Sequence, residues 1–229
     1  MYWLQEELTF PHPSLSSPDG LLAIGGDLSP ERILLAYKNG IFPWFNPGDH
    51  FLWWSPDPRF VLFPEDLKVS KSMRPYFNQQ KFTVRYDTQF KEVITNCSES
   101  KRQGQRGTWI TDDMIDAYTT LHEMGWAHSI EVYKQEKLVG GLYGLAIGKV
   151  FFGESMFSKE SNASKFGFIS LVKQLTKRGY NLIDCQQETP HLGSLGASSI
   201  PRSIFLMMME KNNMLDIQPA KWTNLFESS

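Results

Sequence analysis

The chain has 229 residues, of which 41% are hydrophobic and 21% are charged, and its formal net charge at pH 7 is −2. These values are typical of a globular protein with a sizeable core, arranged in one large domain or two unequal ones. The slightly acidic balance excludes a uniformly basic surface that coats nucleic acid, but it allows a local basic patch.

Targeting signals and metal-binding spacings are not found in the sequence. The N-terminus lacks a basic region followed by an apolar run, so we predict no signal peptide. No stretch approaches the ~20 apolar residues of a membrane-spanning helix. The two cysteines, Cys97 and Cys185, form no disulfide framework and no zinc-binding spacing. We therefore expect a cytoplasmic monomer with reduced thiols, no bound metal and no membrane association.

Residues 1–60 are rich in proline, glycine and tryptophan, which keeps regular elements short. One helix is nevertheless clear in this region. Ser29 is a good N-cap, Pro30 suits the first helical position, and Gly40 is a typical stop. The composition changes near residue 60. We therefore predict a small N-terminal mixed domain over 1–60 and a larger domain over 61–229.

The larger region alternates between strand and helix patterns. The periodicity predicts strands over 60–63 and 84–86, helices over 67–77, 90–97 and 112–124, a meander of three strands over 129–133, 138–147 and 150–156, a helix over 163–177 and a strand over 182–186. The β-β-β-α-β order of its second half predicts an α+β fold, in which helices flank a mostly antiparallel sheet.

Three polar residues stand at the ends of strongly apolar strands. Glu154 follows an apolar run on the third meander strand, and Asp184 and Gln186 follow another on the last strand. Because unpaired burial of a carboxylate is costly, such residues usually have a partner or a task. If the strands are neighbours, all three line one cleft and can carry out acid–base and positioning work. The alternative is a structural network that only anchors loops.

The side-chain alternation of a strand makes these placements specific. It predicts that Asp184 and Gln186 share one face, and that Phe152, Glu154 and Met156 share one face of their own strand. Cys185 then points away from Asp184, where it is expected to pack as a small hydrophobe.

Other catalytic patterns are weaker. No histidine stands at a diagnostic spacing from Cys185, and Ser155 is not in a G-x-S-x-G elbow, so a nucleophilic cysteine or serine is disfavoured. The glycine-rich stretches at 25–27 and 193–196 lack phosphate-loop spacing, and loop geometry explains them better.

Two further groups of side chains suit a nucleic-acid ligand. Trp44 and Trp109 stand in polar or glycine- and proline-rich surroundings, where they could stack on a flat ring such as adenine, although packing explains most tryptophans. A basic cluster could contact phosphates, with a solvated face as the alternative. Its members are Lys68, Lys71, Arg74, Lys81, Arg85, Lys101, Arg102 and Arg106.

Eight ordered blocks resemble the bacterial leucyl/phenylalanyl-tRNA–protein transferase family. They extend from about residue 20 to about 205 and read GLLAIGGDLSPERILLAYKNGIFPWF, WWSPDPR, GTWIT, AHSIEVY, LVGGLYG, FFGESMFS, NASK and IDCQ followed by HLGSLGA. The resemblance implies a small N-terminal domain joined to a GNAT-like acyltransferase domain, in agreement with the predicted strand order. It also implies transfer of Leu, Phe or less often Met from aminoacyl-tRNA to proteins beginning with Arg or Lys, which marks them for N-end-rule degradation. The aminoacyl ester is already activated, so no cofactor is expected.

The resemblance also suggests roles for individual residues. Asp184 is expected to accept a proton or orient the amine, directly or through Gln186. Glu154 is expected to bind the cationic N-terminal Arg or Lys of the acceptor. Trp44 and Trp109 match tryptophans near the 3′-terminal adenosine, and the basic cluster around Lys68, Lys71 and Arg74 is expected to contact the acceptor stem. The pocket for the amino-acid side chain is expected to be apolar and closed to β-branched residues. Its predicted walls are Leu142, Phe151, Phe168, Leu171, Leu175 and Ile183.

Two rival functions are open from sequence. The first is a CoA-dependent acetyltransferase, but the segment 157–164 lacks the glycines with which that fold usually cradles the CoA pyrophosphate. The second is a non-catalytic module that binds tRNA or protein N-termini, for which substitution of Asp184 or Gln186 alters binding alone.

Overall fold

The computed structural model describes residues 2–100, 109–223 and 225–226. In this part of the chain, no helix is long and apolar enough to cross a membrane. The first four strands are β1 (Tyr2–Leu4), β2 (Leu21–Gly25), β3 (Phe42–Pro43) and β4 (Leu52–Trp54), and they form a sheet in the order β1-β2-β4-β3.

Helix α1 (Pro30–Lys38) confirms the helix predicted in the N-terminal region. The Ser29 side chain accepts a hydrogen bond from the backbone N–H of Arg32, as an N-cap does. Gly40 ends the helix region with a φ of 72°. A side chain there would be strained by this backbone conformation and would also collide with Leu206.

A seven-stranded sheet forms the rest of the framework. Its strands are β5 (Arg59–Leu62), β6 (Thr83–Tyr86), β7 (Ala127–Lys134), β8 (Lys137–Ile147), β9 (Val150–Ser158), β10 (Leu182–Gln186) and β11 (Ser198–Ile200). The order is β11-β5-β10-β9-β8-β7-β6, and only β9 and β10 pair in parallel. The predicted α+β class with a mostly antiparallel sheet is confirmed.

Helices cover both faces of this sheet. They are α2 (Arg74–Asn78), α3 (Phe90–Glu99), α4 (Asp112–Glu123), α5 (Ala163–Lys177), α6 (Pro190–Gly193) and α7 (Arg202–Asn213). One core packs α1, α3, α4 and α7 with the first sheet against one face, and a second core packs α5 against the other. The division into domains at residue 60 stays a prediction.

The predicted elements match the meander and α5 closely, but the predicted helix over 67–77 is wrong in extent. The chain forms a 3₁₀ turn over Lys71–Met73, and α2 then begins at Arg74. Pro75 explains the break, because it has no N–H to donate and is tolerated only in the first helical turn. The short helix α6, strand β11 and helix α7 were not predicted.

A β-bulge in β9 changes which residues share a face. Tyr143 pairs with Ser155 and the next residue of β8 pairs with Gly153, so Glu154 is the extra residue. The bulge shifts the alternation by one position. Phe152 therefore packs in the first core and Met156 against the second, and the prediction that they share a face is wrong.

The C-terminal segment docks against β7, on the α5 side of the sheet. The Trp222 ring stacks on His128 with centroids 3.7 Å apart and on Phe226 at 4.2 Å. Its backbone N–H donates to Asp87 Oδ2 at 2.7 Å, and His128 Nδ1 lies 2.9 Å from the same oxygen. Burial lowers the pKa of His128, so the neutral ring donates this bond. Asp87 thus ties the segment to the sheet.

Candidate active site

A cavity of about 590 Å³ opens where the bulged part of β9 and the end of β10 meet the segment after α1. Its walls are largely apolar, and its polar groups converge near Glu154. The lining residues are Phe42, Pro43, Trp44, Trp109, Leu142, Tyr143, Gly153, Glu154, Ser155, Met156, Ser164, Phe168, Ile183, Cys185, Gln186, Gln187, Thr189, His191 and Leu192. An apolar cleft with a few convergent polar groups is the usual form of a small-molecule site.

Glu154 is the centre of a hydrogen-bond network built from four elements. Its Oε1 accepts from the Tyr37 hydroxyl of α1 and from the Gln186 carboxamide at the end of β10, both at 2.7 Å. Tyr118 of α4 lies 2.6 Å from the Tyr37 oxygen and 3.4 Å from Glu154 Oε2. Residues far apart in sequence thus hold one carboxyl group in place.

The network leaves Glu154 able to exchange a proton near neutral pH. Burial raises the pKa of its carboxyl group to about 7, and the negative charge of Asp184 acts in the same direction. The hydrogen bonds from Tyr37, Gln186 and Tyr118 oppose this shift. Burial also raises the pKa of both tyrosines well above the usual value, so they remain protonated donors. A carboxyl group poised near 7 is suited to acid–base catalysis.

Asp184 is not among the residues that line the cavity, contrary to the predicted cleft. It is fully buried, and its carboxylate is paired in a fork with Arg59, at 2.8 Å to Nε and 2.6 Å to Nη2. It also accepts the backbone N–H of Gln186 at 2.9 Å. Glu154 and Gln186 therefore reach the cavity, whereas Asp184 lies behind them.

Cys185 differs from its predicted environment. It packs against the second core as expected, but it also lines the cavity. Burial raises the pKa of its thiol far above the usual value, and the charge of Asp184 adds to this effect. The reactive form of a cysteine is the thiolate, so this residue is a poor nucleophile at neutral pH.

The structure brings three of the six predicted wall residues to the cavity, and the assignment of the wall stays a prediction. Leu142, Phe168 and Ile183 line the cavity, whereas Phe151, Leu171 and Leu175 are fully buried in the second core and do not line it. The cavity lies near the N-terminal end of α5, and Leu171 and Leu175 are one and two turns further along that helix. Phe151 precedes the bulge.

Several residues of the cavity and its network were not predicted from the sequence. Met156 lines the cavity and packs against the second core, on the face to which the bulge turns it. His191 and Leu192 reach the cavity from α6, a four-residue helix too short to give a periodic signal. Tyr37 belongs to the predicted helical stripe, but its sequence gives no sign of a partner 117 positions away.

The two predicted tryptophans both line the cavity. Trp109 is 8% exposed, and Trp44 is half-buried beside Trp54, whose indole N–H donates to the Trp44 carbonyl at 2.6 Å. Trp53, by contrast, is fully buried and bonds to the Gly25 carbonyl, as a packing residue does.

Among the described residues, the predicted basic side chains are exposed or partly exposed. Lys68, Lys71 and Arg74 are exposed. Arg85 pairs with Glu136 at 2.6 Å, and Lys81 lies over the ring of Tyr76. Lys101, Arg102 and Arg106 fall outside the described residues.

The N-terminus of α5 is engaged by the chain itself. The backbone N–H of Ala163 donates to the Glu160 carbonyl at 3.1 Å, and that of Ser164 donates to the Ser158 hydroxyl at 3.3 Å. Two of the N–H groups that a pyrophosphate would need at this helix end are therefore already used.

Comparison with known proteins identifies the family of the chain. The family model described as leucyl/phenylalanyl-tRNA protein transferase matches residues 61–210, and the model of the N-terminal domain of that family matches residues 26–57. The chain is an aminoacyltransferase by this match. It belongs to the leucyl/phenylalanyl-tRNA–protein transferase family.

Curated relatives extend the match over most of the chain. The leucyl/phenylalanyl-tRNA–protein transferase of Flavobacterium johnsoniae is 56% identical and covers 92% of this chain and 99% of its own. That of Nitrosomonas europaea is 52% identical and covers 96% and 93%. Among solved structures, a GCN5-related N-acetyltransferase from Kribbella flavida covers 74% of this chain and 60% of its own, at 12% identity and a TM-score of 0.34. A likeness this distant carries no argument.

Proposed function

We propose that the protein transfers Leu, Phe and less often Met from aminoacyl-tRNA to the α-amino group of proteins that begin with Arg or Lys. The observation that carries this proposal is the position of Glu154. A carboxyl group with a pKa of about 7 stands at an apolar cavity of side-chain size, on whose wall two tryptophans also lie. These are the features needed for an activated acyl donor with an apolar side chain and an amine acceptor.

The chemistry requires one proton acceptor and one donor to the developing oxyanion. The amine nitrogen attacks the ester carbonyl, a new C–N bond forms, and the C–O bond to the terminal ribose breaks. Glu154 takes the proton that the amine loses and passes it to the ribose oxygen, which leaves as a hydroxyl. The Gln186 carboxamide has a second N–H beyond the one bonded to Glu154, and this group can stabilise negative charge on the carbonyl oxygen.

The side chain of the donor amino acid occupies the apolar part of the cavity. Leu142, Met156, Phe168 and Ile183 form this part. An apolar pocket discriminates by only about 1–3 kcal/mol per methylene group, which supports mixed use of Leu, Phe and Met. Trp44 and Trp109 offer flat faces on which the terminal adenine can stack.

The acceptor preference rests on charge as well as on the family resemblance. Glu154 is the one acidic side chain among the cavity-lining residues of the described chain. This supports a positively charged acceptor terminus at this position. The product would carry a destabilising N-terminal residue and enter N-end-rule degradation. We place the reaction in the cytoplasm, because aminoacyl-tRNA is supplied there.

The competing acetyltransferase function receives less support from the site. The N–H groups at the start of α5 are already bonded within the chain, which leaves no ready cradle for the CoA pyrophosphate. Saturable quenching of tryptophan fluorescence by acetyl-CoA would favour the acetyltransferase function.

The decisive experiment compares acceptor peptides that differ only at their first residue. Labelled Leu on tRNA is offered to peptides beginning with Arg, Lys or Ala, and product formation is followed over time. We expect transfer to the Arg and Lys peptides and little to the Ala peptide. Equal transfer to all three would remove the acceptor preference, and no transfer by folded protein would refute the proposed function.

The basic surface around α2 yields a prediction about tRNA binding. Because each lysine or arginine that contacts a phosphate releases about one counterion, Lys71→Ala/Arg74→Ala should reduce the salt dependence of binding by about one to two units of log–log slope. Affinity should fall similarly for Leu-tRNA and Phe-tRNA, since phosphate contacts carry no sequence information. The measurement is tRNA affinity across a salt series.

A charge-matched control is available on two other helices. Lys211 and Lys177 are exposed lysines on α7 and α5. If Lys211→Ala/Lys177→Ala changed the slope as much as the α2 variant, the effect would reflect net charge rather than a local contact.

A further inference from the structure

The buried ion pair behind the cavity has no role in the transfer chemistry described above. Arg59 is 1% exposed and Asp184 is fully buried. A buried ion pair is rarely justified by stability alone, because the desolvation of both charges offsets much of their attraction. The pair also contacts two residues that line the cavity, Gln186 through Asp184 and Phe42 through Arg59.

The contact with Gln186 is made through the backbone at the end of β10. Asp184 Oδ1 accepts the backbone N–H of Gln186 at 2.9 Å, and Gln186 has a φ of 63°. A non-glycine residue with this left-handed backbone is uncommon and needs support from its surroundings. The pairing of β10 with β5 changes register at the same point. The bond from Asp184 supplies part of this support.

The unusual backbone has a direct consequence for the site. It directs the Gln186 side chain so that Nε2 donates to Glu154 Oε1 at 2.7 Å. An extended backbone at Gln186 would direct the carboxamide elsewhere. The geometry of the two cavity groups that act on substrates therefore depends on Asp184, which is not itself in the cavity.

The contacts with Gly40 and Phe42 are made by the Arg59 guanidinium. Arg59 Nη1 donates to the Gly40 carbonyl at 3.2 Å, and the guanidinium lies 4.8 Å from the centre of the Phe42 ring. Phe42 also lines the cavity. The same guanidinium lies 4.6 Å from the centre of the Phe205 ring of α7. Arg59 thus contacts one cavity-lining residue directly and, through Asp184, supports another.

We propose that Arg59 and Asp184 form a positioning pair, which touches no substrate, fixes Gln186 against Glu154 and holds Phe42 in the cavity wall. This inference rests on the proposed function for its kinetic consequences. It assigns a role to Arg59, and it makes Asp184 a positioning residue rather than the group that accepts the proton.

The test compares single variants with a neutral double variant. Asp184→Asn retains an oxygen for the Gln186 N–H but leaves Arg59 buried without its counter-charge. Arg59→Gln leaves Asp184 in the same situation. The double variant Arg59→Gln/Asp184→Asn removes both charges and can keep amide hydrogen bonds in their place. We expect kcat to fall roughly 100-fold in each single variant, as for a misplaced reactive group, with KM for aminoacyl-tRNA within about threefold of wild type.

Rescue separates positioning from chemistry. If Asp184 only positions Gln186, the double variant should recover about tenfold or more of kcat relative to Asp184→Asn. If Asp184 accepts the proton, removal of Arg59 in addition restores nothing. A double variant no faster than Asp184→Asn overturns the inference, and so do single variants with the wild-type kcat.

A matched control separates positioning from loss of stability. Arg32 is also fully buried, pairs with Asp27 at 3.1 Å and is not among the cavity-lining residues. Arg32→Lys should lower the melting temperature but leave kcat unchanged at 20 °C. If Arg59→Gln does not fold, Arg59→Lys replaces it, because lysine keeps the charge but cannot form the fork.

A readout independent of activity keeps the inference distinct from the proposed function. The Gln186 side-chain amide should give ¹⁵N NMR signals shifted by its bond to Glu154. These signals should move toward those of exposed glutamines in the single variants and return in the double variant. Unchanged signals in the single variants overturn the positioning role, whether or not the wild type transfers an amino acid. Absence of transfer by the wild type refutes the proposed function but leaves the positioning role to be decided by the NMR signals.

Discussion

Glu154→Gln is expected to lower kcat/KM for transfer to an Arg peptide by about 100-fold or more while the protein remains folded. Glutamine keeps the size of the side chain and an oxygen that can accept from Tyr37, but it cannot take a proton from the amine. The measurement is the initial rate of Leu transfer, with the folded fraction determined from circular dichroism.

The pH dependence tests the same role. The active form of Glu154 is the carboxylate, and its pKa is about 7, so the wild-type rate should fall as the pH drops below about 7. The α-amino group of the peptide contributes a further rise with pH near 8. The residual rate of Glu154→Gln should retain only the rise near 8. If the rate of Glu154→Gln still fell as the pH dropped below about 7, the group that titrates there would not be Glu154.

The stability of this variant should change in the opposite direction from its activity. The folded-state pKa of Glu154 lies above the ordinary glutamic acid value of 4.5, so the folded protein binds the proton more tightly than the unfolded chain does. The carboxyl group therefore destabilises the fold increasingly as the pH rises from about 4.5 through 7. Glu154→Gln should be more stable than wild type at pH 8, by roughly 3 kcal/mol at most, and should differ little at pH 4.

Glu131 provides a matched control for this prediction. It is fully buried, its pKa is raised by burial, and it is bonded to Thr88 and Ser129 rather than placed at the cavity. Glu131→Gln should leave the transfer rate and its pH profile unchanged. Equal loss of activity in both variants would attribute the effect of Glu154→Gln to the general cost of altering a buried carboxylate.

Trp222→Ala is expected to lower the free energy of unfolding by about 3–5 kcal/mol, the usual cost of removing a buried tryptophan. Trp222 is 4% exposed and is stacked between His128 and Phe226, so its loss leaves a cavity that its neighbours cannot fill. For a chain of this size, this loss corresponds to a fall in melting temperature of about 10 °C. Thermal unfolding followed by circular dichroism measures it.

The effect should be confined to stability. Trp222 does not line the candidate active site, so the transfer rate per folded molecule should equal that of wild type at a temperature well below the transition. Trp3, which is 59% exposed, is the control, and Trp3→Ala should change stability by less than about 0.5 kcal/mol. Similar melting temperatures for the two variants would show that the C-terminal segment is not docked in solution.

The parts of the fold that sequence could predict are those with a local signal. The meander strands, α3, α4 and α5 carry clear apolar periodicities, and the bounds of α5 match the prediction. The β9 bulge carries no such signal, because its cause is the pairing with β8. It moved Met156 into the cavity wall and made the assignment of residues to faces fail.

The candidate site was predictable as a set of residue types but not as a geometry. Glu154 and Gln186 could be recognised from polar positions after apolar runs, and both reach the cavity. Arg59 could not be recognised in this way. It stands in a proline-rich stretch that resembles an exposed loop, and its partner Asp184 lies 125 positions further along the chain. The sequence also does not show which residues reach the cavity and which lie buried behind it. Gln186 and Phe168 reach it, whereas Asp184 and Leu171 do not, and only the packing of the whole fold decides this.

The residues of the Glu154 network are synthesised at different times on the ribosome. Its hydroxyl donors come from α1 and α4, which are made early, whereas Gln186 follows more than sixty residues after Tyr118. A nascent chain that has completed the first sheet and the first five strands of the second, β5 to β9, still has a carboxyl group without its carboxamide partner. From the proposed roles of Glu154 and Gln186, we expect transfer activity only after β10 has left the exit tunnel and paired with β5 and β9. A growing chain should then modify no other protein before its own fold is nearly complete.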